Sequence, residues 1–141
     1  MRVADVMTRD VAVVRPDDVI RHAAQKMDEL NIGVLPVCKG RRLVGMITDR
    51  DITVRATAAG RLPHEARVED AMSSDVRWCF EDASTDEVLD MMREVQIRRV
   101  PVIDRDKNLV GLVTLGDLAT EEVRGADVAL RDISQPSQPD R

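Results

Sequence analysis

The sequence predicts a mixed α/β (α+β) fold built from two copies of one βαββα unit. Three observations predict it: a duplicated motif, a constant offset between the copies, and strand-like and helix-like apolar patterns that alternate in the same order twice. Val44-Gly45-Met46-Ile47-Thr48-Asp49-Arg50-Asp51 returns as Val110-Gly111-Leu112-Val113-Thr114-Leu115-Gly116-Asp117, so both copies read G-x-x-T-x-x-D.

The offset extends well beyond the motif. A shift of 65 places Val3, Asp5, Met7, Asp10 and Val11 on Val68, Asp70, Met72, Asp75 and Val76. The same shift places Met27, Glu29, Ile32, Pro36 and Val37 on Met92, Glu94, Ile97, Pro101 and Val102. Beyond Val102 the shift becomes 66, the extra residue falling in the charged, turn-forming stretch 103–108, where a hairpin loop tolerates a change of length. The chain is an internal duplication.

In the first copy, residues 11–14 form a short apolar run suited to a buried strand, and Pro16, Asp17 and Asp18 break it and supply helix-start chemistry. Val19, Ala23, Ala24, Met27 and Leu30 then recur at three- and four-residue spacing, which predicts a helix with one apolar face, ended around Asn31 and Gly33. Residues 34–38 and 43–47 read as strands joined by a hairpin turn containing Gly40, and a second helix is expected over 48–59. The second copy repeats the order with a strand over 76–80, then a helix opened by Ser84 to Glu87 at capping-box spacing, with Val88, Met91, Met92 and Val95 on its apolar face. Strands over 99–103 and 109–113 and a closing helix over 115–124 complete it. The parallel strands need the helical crossover, and the hairpin adds an antiparallel strand. The domain reading is therefore 1–59 for the first repeat, 60–66 for a linker broken by Gly60 and Pro63, and 67–124 for the second repeat. Residues 125–141 read as a polar C-terminal tail that is expected to be flexible, its proline-containing end from Ser134 disordered or loosely laid on the surface.

At 141 residues, two such small units must share a core, because neither buries enough surface alone. A net charge of −5 argues against a nucleic-acid partner bound through bulk electrostatics. Residues 1–14 contain no continuous apolar segment and no run approaches the roughly 18 apolar residues of a membrane span, so no membrane association and a cytoplasmic location are expected. Cys38 and Cys79 fall at non-equivalent positions of the repeat and read as small apolar core residues in a reducing compartment, a redox-linked bridge being the alternative. His22 and His64 have no neighbouring ligand set, and no nucleophile and base are clearly brought together. No catalytic residue, no metal and no required cofactor are predicted. Trp78 and Phe80, the chain's only Trp and Phe, are expected to pack in the core.

The chain resembles a tandem pair of CBS (cystathionine-β-synthase-type) domains, a Bateman module. The resemblance covers nearly everything up to Arg124. It rests on Val3-x-Asp5-x-Met7-Thr8, on Ile32-Gly33-Val34-Leu35-Pro36-Val37 and Ile97-Arg98-Arg99-Val100-Pro101-Val102, and on the two G-x-x-T-x-x-D runs. It implies two repeats packed sheet to sheet about a pseudo-twofold axis, leaving two clefts, and modules that pair into a homodimer. It also implies that the clefts hold an adenosine-containing ligand such as AMP, ADP, ATP or S-adenosylmethionine, whose occupancy regulates an attached or partner protein.

The residues have chemistry that suits this. A threonine opening a helix offers a hydroxyl beside free backbone N–H groups at the positive end of the helix dipole, where a phosphate is favoured. An aspartate three residues later offers acceptors for ribose hydroxyls. Thr48 with Asp51, and Thr114 with Asp117, have that spacing. Each motif's glycine, three residues before the threonine, has room for close approach of backbone or ligand. Arg98 and Arg99 stand where nucleotide-binding relatives carry basic residues directed at phosphate, the alternative being a solvated strand edge or an ion pair with a residue such as Glu94, whereas the first copy has Gly33 and Val34, an asymmetry that implies non-equivalent clefts. The competing reading is that Thr-x-x-Asp is a plain helix cap worth about 1 kcal/mol. The function expected is thus a stand-alone regulatory ligand-binding module, the alternative being a structural or protein-interaction module whose clefts are closed by side chains such as Trp78.

Overall fold

The computed structural model describes residues 1–120, 130 and 132–134. The first repeat contributes helix α1 (Ile20–Leu30), strands β1 (Val34–Lys39) and β2 (Arg42–Thr48), and helix α2 (Asp49–Asp51), which continues as a π-helical segment, Ile52–Thr57. The second contributes α3 (Val68–Ala71), β3 (Cys79–Phe80), α4 (Thr85–Val95), β4 (Arg99–Ile103), β5 (Leu109–Thr114) and α5 (Leu115–Thr120). Strands β1 and β2 form an antiparallel pair, and β3, β4 and β5 a three-stranded sheet in that order with β3 parallel to β4. The fold is the mixed α/β arrangement expected from the sequence.

Helices α1 and α4 form because their apolar residues fall on one face: Ile20, Ala23 and Met27 are buried in one, Val88, Leu89 and Met92 in the other. Both end the same way, with Asn31 and Gln96 in the left-handed conformation at φ 53° and 57°. Ser84 caps α4 by accepting the Glu87 amide at 3.1 Å. The β1–β2 turn is made by Gly40, whose φ of 63° favours a residue without Cβ.

Four regions differ from the expectation. The run 11–14 contributes only a parallel bridge from Val14 to Val37, and the 76–80 strand is paired only at Cys79 and Phe80. The helix expected over 48–59 is α-helical only over Asp49–Asp51, and its backbone then widens so that Ala58 bonds to Thr53. The Asp49 carbonyl accepts the amide of Ile52, and Thr53 Oγ1 donates to it as well at 3.0 Å. Within the region read as a flexible tail, Leu130 and Asp132–Ser134 are instead helical or turn, and Ile133 is buried at 7% exposure. Residues 121–129, 131 and 135–141, including the end of the expected closing helix and most of the proline-containing stretch, lie outside the described residues.

Contacts divide the chain into two compact units that do not follow the repeat boundaries. One unit joins residues 1–11 to 77–105 and the described residues from 110 onward; the other is 12–76 with 106–109. The segment that precedes each repeat thus packs with the other repeat. Val3 and Met7 lie in a core with Val88, Met92, Val100, Val102, Val113 and Leu118. Val68 and Ala71 lie in a core with Ile20, Met27, Leu35, Val37 and Ile47.

This explains the duplicated V-x-D-x-M pattern. The valine is buried, and the aspartate caps its own short turn, Asp5 accepting the Arg2 amide at 3.1 Å and Asp70 the Arg67 amide at 2.8 Å. The methionine then meets a glycine of a hairpin strand: a Cβ on Gly111 would lie 2.6 Å from Met7 Sδ, and one on Gly45 2.8 Å from Met72 Sδ.

Candidate functional site

Each T-x-x-D motif closes on itself. The Asp51 amide donates to Thr48 Oγ1 at 3.0 Å, and the Thr48 amide donates back to Asp51 Oδ2 at 2.9 Å. Thr114 and Asp117 repeat both bonds at 3.0 Å. The spacing therefore builds a capping box at the start of α2 and of α5. Each carboxylate is half-buried and spends Oδ2 on its cap. Asp51 Oδ1 also lies 3.9 Å from Arg55 Nε, whereas Asp117 Oδ1 has no partner among the described residues.

The motif's glycine serves backbone, not ligand. Cβ atoms at Gly45 and Gly111 would come within 2.8 Å of the Ser73 carbonyl and 2.9 Å of the Thr8 carbonyl, where Met46 bridges to Ser73 and Leu112 to Thr8. Protein fills the space that was open to a ligand in the sequence reading.

Arg98 and Arg99 are both exposed. The Arg98 carbonyl accepts the Leu115 amide at 2.8 Å, which ties the approach to β4 to the first residue of α5 and so to the Thr114–Asp117 box. The first copy has the same joint, the Gly33 carbonyl accepting the Asp49 amide at 3.0 Å. Four of the six residues singled out from sequence thus gather in one unit, Arg98, Arg99, Thr114 and Asp117, while Thr48 and Asp51 belong to the other.

Other contacts were not anticipated. Arg98 Nη2 donates to Ser134 Oγ at 3.3 Å, Arg93 pairs with Asp132 at 2.7 Å, and Gln96 donates to the Asp132 carbonyl at 3.2 Å. Leu130 and Ile133, three residues apart and preceded by Val128 and Ala129 in the sequence, were the signal for this docked turn. Trp78 is 39% exposed, so its expected core role is corrected. It stands edge-on to Phe80 at 5.0 Å and, with Phe80, Ala83, Glu87, Val88 and Met91, lines an open groove of about 190 Å³. The Arg105 guanidinium lies 3.9 Å from the Phe80 ring centre and 2.7 Å from Asp82, whose carboxyl it holds below the usual range.

Cys38 and Cys79 are free and buried, and burial pushes their thiols up to about 11 and about 12, with the charge of Glu87 adding to the rise at Cys79. His22 lies 3.9 Å from Asp18 and His64 lies 3.7 Å from Glu65. Among the described residues no three His, Cys, Asp or Glu side chains come together to hold a metal ion, and no helix is long and apolar enough to cross a membrane.

Comparison with known proteins bears on this arrangement. CBS domain-containing protein YhcV of Bacillus subtilis (strain 168) is 41% identical over 134 residues, 94% of this chain and 94% of that protein. A crystal structure of Hypoxic Response Protein I with two coordinated zinc ions is 40% identical, with a TM-score of 0.78, covering 85% of this chain and 98% of its own. The crystal structure of CBSX2 in complex with AMP has a TM-score of 0.77 over 87% of this chain and 96% of its own; at 23% identity this likeness shows the fold alone. The sequence profile of the CBS domain matches residues 3–56 and again residues 68–124. The chain belongs to the CBS domain family, as a tandem pair of its repeats.

Proposed function

We propose that this CBS pair is a non-catalytic, cytoplasmic regulatory module that binds an adenosine-containing ligand at the second-copy motif and signals to a partner protein as a homodimer. The observation that supports it is the Arg98–Leu115 backbone bond, which joins the segment carrying two exposed arginines to the start of the helix whose half-buried Asp117 has, among the described residues, an unused oxygen. A guanidinium meets phosphate through two parallel N–H bonds, and Asp117 Oδ1 can accept a ribose hydroxyl while Oδ2 remains in the cap. Capping and binding are compatible because a carboxylate has two oxygens. Signalling then requires only that the ligand favour one of two arrangements of the protein; equal affinity for both would shift nothing.

The two complete capping boxes favour a second reading, an interaction module in which Thr48, Asp51, Thr114 and Asp117 serve folding alone. A thermal-shift screen against AMP, ADP, ATP, NAD and S-adenosylmethionine separates the two, AMP coming first because CBSX2 holds it. A ligand at about 100 times its dissociation constant stabilises the native state by roughly 2.7 kcal/mol. For a chain of this size that raises Tm by about 5–10 °C. No shift with any of the five, confirmed by calorimetry at millimolar concentration, would leave the interaction module as the better reading.

A further inference from the structure

We infer that only the second copy of the motif takes a phosphate-bearing ligand, and that Asp49 closes the first copy to it. The inference rests on the nucleotide reading above and says which copy serves it.

The two copies share a scaffold. In each, the residue two before the conserved Leu/Val-Pro-Val run gives its carbonyl to the residue after the motif threonine, Gly33 to Asp49 and Arg98 to Leu115. The capping boxes match bond for bond. What differs is the side chains hung on this joint. In the first copy the Asp49 carboxylate is folded over Gly33, so that a Cβ there would lie 2.9 Å from Oδ2 and 3.3 Å from Cγ. Asp49 Oδ1 accepts the Arg50 amide at 2.8 Å, which holds the group in place. A side chain at position 33 would therefore meet a carboxylate and have to displace it, whereas the second copy has Leu115 at the matched position.

Nearby cations do not reverse this. Arg55 directs Nη1 to the Ala71 and Met72 carbonyls at 3.4 and 3.2 Å, with Nε 3.9 Å from Asp51; in the second copy, among the described residues, Arg98 gives only Nη2, to Ser134 at 3.3 Å, and Arg99 is exposed. Across the matched positions, the first copy carries Asp49, Arg50 and Asp51, a net single negative charge; the second carries Arg98, Arg99 and Asp117, a net single positive charge. A nucleotide phosphate monoester bears about −1.5 to −2 at neutral pH. It is repelled by the first arrangement and attracted by the second. One phosphate ligand binds per chain.

Titration calorimetry of the full chain with AMP, and with adenosine as the uncharged control, tests this. The wild-type protein should take one AMP per chain. Asp49→Asn, a change at an exposed side chain that keeps its shape, should add a second and weaker AMP event while leaving adenosine binding unaltered. Gly33→Arg combined with Asp49→Leu, which transplants the second copy's pair and removes the clash, should bring the added site within about tenfold of the first, a gap of about 1.4 kcal/mol. Two equivalent AMP sites in the wild type overturn the inference and leave the nucleotide reading standing. A single site that persists in both variants, with their melting temperatures intact, also overturns it. Absence of AMP binding in the wild type and both variants at millimolar concentration overturns the nucleotide reading and this inference together.

Discussion

Asp117→Asn and Asp117→Ala separate the two tasks assigned to one carboxylate. Asparagine keeps an oxygen that can accept the Thr114 amide, now at 3.0 Å from Oδ2, but turns the other oxygen into an NH2 donor and removes the charge. Alanine removes everything beyond Cβ. Losing the charge at the start of α5 costs about 0.3–1 kcal/mol, and losing the cap as well brings the total to about 1–2 kcal/mol. At about 2–4 °C per kcal/mol, Tm of the ligand-free protein should fall by about 1–4 °C for asparagine and about 2–8 °C for alanine. Affinity for AMP should behave differently. A hydrogen bond to a charged group contributes about 1.5–3 kcal/mol, so both variants should lose about 10- to 100-fold in affinity, and by similar factors. Calorimetric titration gives the affinities and thermal melting the stabilities. If Asp117→Asn binds AMP as tightly as wild type, the carboxylate only caps the helix and the binding role is refuted.

Three further outcomes follow from the packing and the titrating groups. Gly111→Ala would drive a methyl to 2.9 Å from the Thr8 carbonyl and 2.6 Å from Met7 Sδ, and should cost about 1–3 kcal/mol in urea unfolding; an unchanged midpoint would mean that the leading segment does not pack there. Ile133→Ala should cost about 2–4 kcal/mol because the side chain is 7% exposed within a core, whereas Arg93→Ala, which breaks an exposed pair with Asp132, should cost less than about 1 kcal/mol. Equal effects in the two would place the turn's attachment in its ion pair. The buried thiols, raised by folding to about 11 and about 12, hold their protons longer than the unfolded chain does. Stability should therefore be intact below about pH 8.5, fall with a slope of up to about 1.4 kcal/mol per pH unit per thiol above it, and fall less steeply in Cys38→Ala, as chemical denaturation between pH 8 and 11 would show.

The parts of the fold legible in the sequence are those with a local cause. Helices α1 and α4 announce themselves through one apolar face each, and the β1–β2 hairpin through two apolar runs about a turn glycine. What sequence periodicity cannot show is decided by distant partners. The run 11–14 looks as strand-like as 34–38, yet its pairing is limited to Val14 against Val37, since strand length in a parallel pair depends on how far the neighbour runs alongside. The exchange of leading segments was hidden for the same reason. Val3 and Met7 repeat as Val68 and Met72, but a repeat pattern does not reveal which repeat's core each segment enters. The docked turn was masked by length, because the apolar pattern from Val128 to Ile133 is short and is followed at once by prolines, serines and charges.

The site was legible in a different sense. Thr48, Asp51, Thr114 and Asp117 were found because they recur, but what recurs is accounted for by folding: two capping boxes and two glycines that admit backbone. In a duplicated fold, shared residues report what both copies need to fold, and a ligand demands nothing of a copy that does not bind it. The informative positions are those where the copies disagree on a common scaffold. Gly33 against Arg98 and Asp49 against Leu115 form such a pair of positions, and they are in contact, since any side chain at 33 would have to displace the carboxylate at 49. Coupled differences of this kind have no folding rationale in the capping geometry, which is the same in both copies. They are therefore where the distinction between a binding copy and a structural copy should be sought.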